Sequence, residues 1–460
     1  MCRSCITLLV LTVLPGLVLR AQQEGAEPDV HSALLVVPPA QLRGSIPQLL
    51  PTNAGTTQNE FLGGLVVGAL FDDNIATSNH QPQSGYLYFV SPSMVLQQTR
   101  RRTTWDLNYT GGLTIAQHDP ANNNGTQNTT SVAAQMHHLF GPHTLLELRQ
   151  DFLMTNNPFG QADQGQTVSA VSGTGQLNSS AGVPIATRTS FVSSGALTYQ
   201  FSRRSSLGIN GSFSSLRFRD LPKLSGVDVN LIDGRTTTGR VFYVLDISRG
   251  QRIGAEYQVQ DLRFGGDAAH TLDQTVFLFD EIHLRSNMTL TLFGGPGYTH
   301  LHNNVLVPSS GGTPSVLPSL RDEWSPSGGA SYTWQGKRLA VRLTGSSLIT
   351  DGGGALGTVR AFSGSGELRE DLSKRWTGTL GYTYSDGRLI GGPINNGASQ
   401  ITTEQASVGV VHHLSQQISM TAEYAHLRQL GGGAVTPYST GDHNRASVSM
   451  TYQFVRPLGR

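Results

Sequence analysis

A two-residue rhythm runs through this chain from Phe61 onward, and it leaves few folds open. From position 105 one face of an extended segment carries Trp105, Leu107, Tyr109, Leu113 and Ile115, while the other carries Asp106, Asn108, Thr110 and Thr114. The pattern returns at 376–385, where Trp376, Leu380, Tyr382 and Tyr384 oppose Thr377, Thr379, Thr383 and Ser385. Segments 194–201, 207–214, 253–260, 327–334 and 418–423 follow the same rule. Successive side chains of a strand point to opposite sides, so each stretch reads as a strand with one apolar and one wet face. A soluble sandwich shows that alternation too, and length is what separates the two readings. These strands run about 10–15 residues, against about 5–6 in soluble sheets, and that is enough to cross a bilayer at a tilt.

The connections alternate in length. Short turns rich in Arg, Ser, Gly and Lys fall near 97–103, 140–143, 201–205, 247–251, 284–286, 334–337, 371–374 and 413–416, with mostly longer connections between them. Eight turns interleaved with nine loops call for about 18 strands, the even count that closed bacterial barrels prefer. Segments 241–245, 276–281 and 355–367 alternate poorly, which keeps 16 as the alternative. The expected fold is all-β, a closed antiparallel transmembrane barrel with short periplasmic turns and longer extracellular loops.

Composition fits a single-layer sheet. Apolar residues make up 37% and glycines number 54, a poor stock for one large solid core. Charged residues are 14%, low for a soluble surface, and a net charge of +1 gives no reason to expect a nucleic-acid partner. At the start, Arg3 precedes the apolar run Ile6 to Val18, which reads as an export signal cleaved after Ala21. Cys2 and Cys5 both lie inside it, so the exported chain is expected to lack thiols and disulfides. Residues 22–58, broken by Pro28, Pro38, Pro39, Pro47 and Pro51, read as a periplasmic linker. The barrel is then expected over 59–455, with a short tail at 456–460.

Aromatic residues cluster beside the short turns. Trp105 and Trp376 open strands, and Phe140, Phe201, Trp334, Tyr452 and Phe454 close them, as an interfacial girdle requires. Phe152, Tyr298, Tyr382 and Tyr424 are candidates for a second girdle on the loop side. The terminal run Ala446-Ser447-Val448-Ser449-Met450-Thr451-Tyr452-Gln453-Phe454 resembles the assembly signal of bacterial outer-membrane β-barrels of the porin-like kind, although Val455 to Arg460 extend past the aromatic. That resemblance implies an integral outer-membrane location, contact with outer-membrane lipid, and recognition of the last strand by the assembly machinery. Phe71-Asp72-Asp73-Asn74-Ile75 resembles a stretch in barrels associated with exopolysaccharide export, which would make polysaccharide a partner.

A barrel of this size is wide enough for an aqueous channel unless something fills it. The residues expected to line it are Asp106, Asn108, Glu147, Arg149 and Asp151. Glu256, Gln258, Gln260, Arg338 and Arg342 complete the set. They would act either as a transverse field that selects solutes or as a brace across the lumen. General porins fold their third loop inward, so the resemblance implies a constriction from the loop Asn156 to Arg188. His300 and His302 share a strand face but lack a third ligand in sequence, so no metal or cofactor is expected. Gly364-Ser365-Gly366 lies within a strand rather than at a strand-to-helix elbow, and no catalytic residue is assigned. The expected function is passive diffusion of small hydrophilic solutes. Exopolysaccharide export or surface anchoring, and a barrel hydrolase, are the alternatives. The sequence leaves the oligomeric state open.

Overall fold

A computed structural model describes residues 59–74, 82, 84–116, 126–155, 166–168, 175–177, 187–219, 232–265, 269–307, 315–352, 357–391, 398–433 and 441–458. The export signal and the linker at 22–58 lie outside them, as does most of the third loop. The first strands are β1 (Glu60–Asp72), β2 (Gly85–Arg100), β3 (Thr103–Ala116), β4 (Thr126–Leu139) and β5 (Thr144–Thr155). A small hairpin, β6 (Gln166–Val168) with β7 (Gly175–Leu177), forms its own two-stranded sheet. The wall resumes with β8 (Thr187–Ser202), β9 (Ser205–Arg219), β10 (Gly234–Ser248), β11 (Gln251–Phe264), β12 (Ala269–Arg285), β13 (Met288–Val307) and β14 (Ser315–Gln335). It ends with β15 (Leu339–Asp351), β16 (Thr358–Asp371), β17 (Trp376–Gly391), β18 (Ala398–His413), β19 (Ile418–Gly433) and β20 (Gly441–Pro457).

Eighteen antiparallel strands make one sheet, and β1 closes it by pairing with β2 on one side and β20 on the other. The count is therefore eighteen rather than sixteen. Closure satisfies edge strands that would otherwise be bare, which matters most where lipid offers no hydrogen bonds. β20 runs past 455, and Arg456 and Pro457 pair with Phe61 and Glu60. The outward faces are apolar and exposed: Leu107, Ile209, Leu278, Leu380 and Val448 all stand free of the protein. Such a face is stable only against lipid.

The loop-side interior is not a simple empty tube. β14 pairs with β15 only from Gly328 to Gln335, and its loop-side half runs on beside β13 alone. Past that point the two flanks overlap. Thr271 Oγ1 on β12 lies 2.6 Å from Thr358 Oγ1 on β16, four wall strands away. The Arg360 guanidinium on β16 donates to Glu323 Oε1 on β14 at 2.6 Å, passing over β15. Along β15 and β16, Leu348, Ile349, Thr350, Thr358 and Val359 are buried one after another. In a single-layer barrel every second one of them would face lipid. Burial of both faces means that the inner side of β12–β14 covers the outer side of β15–β16, so the wall is two layers deep here.

Prolines set where the ladder parts. Pro326 on β14 stands just before the point where pairing with β15 stops. Pro296 on β13 sits in a gap in the β12–β13 register, and Pro92 on β2 in a gap in the β2–β3 register. Each lacks the N–H that the neighbouring strand would accept. At Gly295 the backbones come so close that a Cβ would fall 1.7 Å from the Val276 carbonyl oxygen, so only glycine fits.

Candidate functional site

The inward faces of the wall strands divide into two kinds of surface. On β10, β12, β13 and β15, Phe242, Val244, Phe277, Phe279, Phe293 and Leu348 pack into one apolar cluster inside the barrel. Glycines make room for the rings: Phe242 lies across from Gly208 and Phe279 across from Gly254, each ring occupying the space of the missing side chain. These inward phenylalanines are why 241–245 and 276–281 alternate poorly, since both faces of those strands are apolar. A second inward cluster joins Val66, Leu70, Leu87 and Phe89.

Polar groups on the same side are buried and bonded. The Asp273 carboxylate accepts from Thr299 Oγ1 at 2.7 Å and from Thr275 Oγ1 at 3.0 Å. Glu256 is buried beside Arg240, with Nε and Oε1 3.6 Å apart. Gln258 and Gln260, likewise buried on β11, contact each other at 3.5 Å. Arg188 on β8 is fully buried and feels the charge of Asp351 at the end of β15, although the two strands are not neighbours in the wall. Among the predicted lining residues, Glu256, Gln258 and Gln260 therefore brace a packed interior.

The β3–β5 wall is different. Asp106 and Asn108 alternate with the exposed outward Trp105 and Leu107, so they point inward, opposite Gln135 and Ala133 of β4. Glu147, Arg149 and Asp151 alternate likewise with the outward Leu148. His137 Nδ1 lies 3.1 Å from Glu147 Oε1, and Arg149 Nε donates to Asp151 Oδ2 at 2.6 Å. All five charged or titratable groups, Asp106 included, are half-buried rather than sealed. His137, whose pairing with His138 at a turn end reads in sequence only as a weak metal motif, is a further member of this cluster. Its parity with Gln135 and the facing Glu147 was the available signal. Arg342 also points inward, opposite Glu367 of β16. Arg338 lies in the exposed turn before β15 and not on a wall strand, because β15 begins only at Leu339.

The outer aromatics fall into two bands. Trp105, Phe201, Trp376, Tyr452 and Phe454 are exposed near the turn ends of their strands, Phe140 sits in the turn after β4, and Trp334 is half-buried at the end of β14. Phe201 stacks on Tyr243, Trp376 lies 4.1 Å from the His412 ring, and Phe454 contacts Phe61. Nearer the loops, outward tyrosines place their hydroxyls on polar neighbours. Tyr257 donates to Gln274, Tyr298 to Asp322 and Tyr424 to Asn444, at 2.9, 2.8 and 2.7 Å. An apolar ring with a satisfied hydroxyl is the expected occupant of an interface. His300 binds Asp322 at 2.5 Å on this outer face.

The stretch from Phe71 to Asn74 closes the barrel. The Asp72 carboxylate accepts from Arg445 Nη2 at 2.9 Å, with His443 Nδ1 at 3.4 Å, and it also accepts the Asn74 backbone N–H at 2.9 Å. Asp73 accepts the side-chain amide and backbone N–H of Asn444, and Asn74 donates to the Asp442 carbonyl. Adjacent acids thus clasp the first strand to the last.

No family model matches this chain, and no curated protein matches it. Solved structures do. The ferric-catecholate import receptor Fiu of Escherichia coli K12 aligns over 87% of this chain and 82% of its own, at 9% identity and a TM-score of 0.44. The outer membrane protein OpdK of Pseudomonas aeruginosa aligns over 86% and 99%, at 8% identity and 0.40. OccAB4 of Acinetobacter baumannii aligns over 88% and 100%, at 10% identity and 0.43. At such identities and scores these barrels say nothing about what this chain carries.

Proposed function

We propose that this chain is an integral outer-membrane channel through which small hydrophilic solutes diffuse passively. The observation that supports it is the β3–β5 wall, where Asp106, His137, Glu147, Arg149 and Asp151 face the lumen half-exposed. A structural brace seals its charges, as Asp72 and Arg445 are sealed at the seam. These groups keep access to water, and paired opposite charges along a wet wall lower the cost of moving a polar solute past it. The exposed apolar outer face and the two aromatic bands support the bilayer as its solvent.

The expected solute is small, because the inward phenylalanine cluster and the doubled wall at β12–β16 both take up interior space. Delivery by the assembly machinery through β20 belongs to the same reading. The Asp72 to Asn74 stretch is spent on closing the barrel, so no particular observation favours polysaccharide export over diffusion.

Two measurements test the proposal. The protein in SDS is expected to run at different apparent masses with and without boiling, as a closed ladder resists the detergent. Vesicles bearing it are expected to swell in an isotonic pentose and much less in an isotonic trisaccharide. Swelling indistinguishable from protein-free vesicles would overturn the channel.

A further inference from the structure

Charge in this molecule is sorted by location. On the wall strands, mostly in their turn-side halves, the half-exposed inward acids are Asp106, Glu147, Asp151, Glu367 and Glu423, against Arg149 and Arg342. Nearer the turns, Arg252 sits between Asp246 at 2.9 Å and Glu281 at 3.7 Å, one base for two acids. Arg369 and Asp371 balance each other there. Glu323 on β14 meets two bases, Arg321 and Arg360, while Arg285 ends β12 on the inward side and Glu60 opens β1 there. Along the accessible inward face of the described strands ten acids thus stand against seven bases, although the whole chain is nearly neutral at +1. The missing positive charge is in the short turns. Arg101, Arg102, Arg203, Arg204, Lys374 and Arg375 all lie between strands rather than on them.

From this sorting we infer that the channel selects cations over anions, an inference that rests on the diffusion reading above. The physics is that of a narrow aqueous passage with low-dielectric walls, where fixed charge of one sign concentrates counter-ions and excludes co-ions. At physiological salt the screening length is about 8 Å, so an ion passing within that distance of the wall feels its fixed charge. The basic turns sit on the rim, where bulk electrolyte screens them from every side. Buried pairs such as Arg240 with Glu256 and Asp72 with Arg445 are sealed in the protein and contribute little to what a permeating ion meets.

The test is the zero-current potential of the full chain in a planar bilayer under a KCl gradient. At low salt the sign is expected to report potassium as the more permeant ion, by about threefold or more, and the preference is expected to shrink as salt rises and screening shortens. Asp106→Asn combined with Glu147→Gln should move the ratio toward chloride, while Arg101→Gln on the rim should leave it in place. The salt dependence needs no variant, so it stands even if the double change fails to fold. A conducting pore that prefers chloride, or shows no preference at low salt, overturns the inference and leaves the channel intact. A bilayer that never conducts overturns the channel and this inference with it.

Discussion

The β3–β5 wall, toward the short turns, and the seam at the loop end of β1 and β20 use the same residue chemistry to opposite ends. Arg149 with Asp151 and Arg445 with Asp72 are both arginine–aspartate pairs, at 2.6 and 2.9 Å. The first leaves 30% and 26% of its side chains exposed, the second only 5% and 2%. An exposed pair is weakened by water and salt and contributes about 0–1 kcal/mol. A buried one is unforgiving, because deleting either partner strands a charge in a low-dielectric interior. What distinguishes a wet wall from a brace is access to water, which the residue types alone do not reveal.

The sharpest way to break that comparison is to delete the same group on each side. Arg445→Met is expected to cost about 3–5 kcal/mol, since Asp72 stays buried without its guanidinium, whereas Arg149→Met should cost about 0–1 kcal/mol. Urea unfolding in detergent micelles, followed by tryptophan fluorescence, reads both, and equal losses would erase the distinction. Phe277→Ala removes the ring from the inward cluster and should cost about 3–5 kcal/mol by the same assay. A loss below about 1 kcal/mol would mean the cluster is loosely packed.

A smaller effect is expected at the overlap of the two layers. Thr358→Val leaves the buried Thr271 hydroxyl without its partner and should cost about 1–3 kcal/mol. Replacing Thr271 and Thr358 together by cysteine should give a pair that oxidises without reducing conductance, because the contact is part of the conducting form. Loss of current on oxidation, restored by reductant, would show instead that the layers must separate. The smallest change is Glu147→Gln on the wet wall, expected to alter stability by less than about 0.5 kcal/mol. Its effect belongs to ion selectivity, and a large stability loss would make that wall structural after all.

Much of this architecture was legible in the sequence. Trp105 to Ile115 and Val448 to Phe454 announce their outward faces by parity, and the eight short turns fix the number of hairpins. The inward orientation of Asp106, Asn108, Glu147, Arg149 and Asp151 followed from the same parity. The placing of Arg338 on the wall did not hold, since parity continues through a turn on paper while the strand does not. Prolines at 92, 296 and 326 mark where the ladder is interrupted, as a local gap in pairing at Pro92 and Pro296 and as the loss of the β15 neighbour beside Pro326.

What the sequence determined by itself is a closed antiparallel ladder of about eighteen strands, sixteen being its alternative, with an apolar outside, because a period of two and the spacing of turns are local properties that each segment carries alone. The structure settled the count. What only the tertiary structure decided is the inside. Whether an inward Glu256 is a brace and an inward Glu147 is wet depends on what stands opposite, in strands far away in the chain. The same holds for the doubled wall at β12–β16 and for the clasp that Asp72 and Asp73 make with the last strand. Burial is a property of pairs of distant segments, and no local pattern encodes which of them will meet.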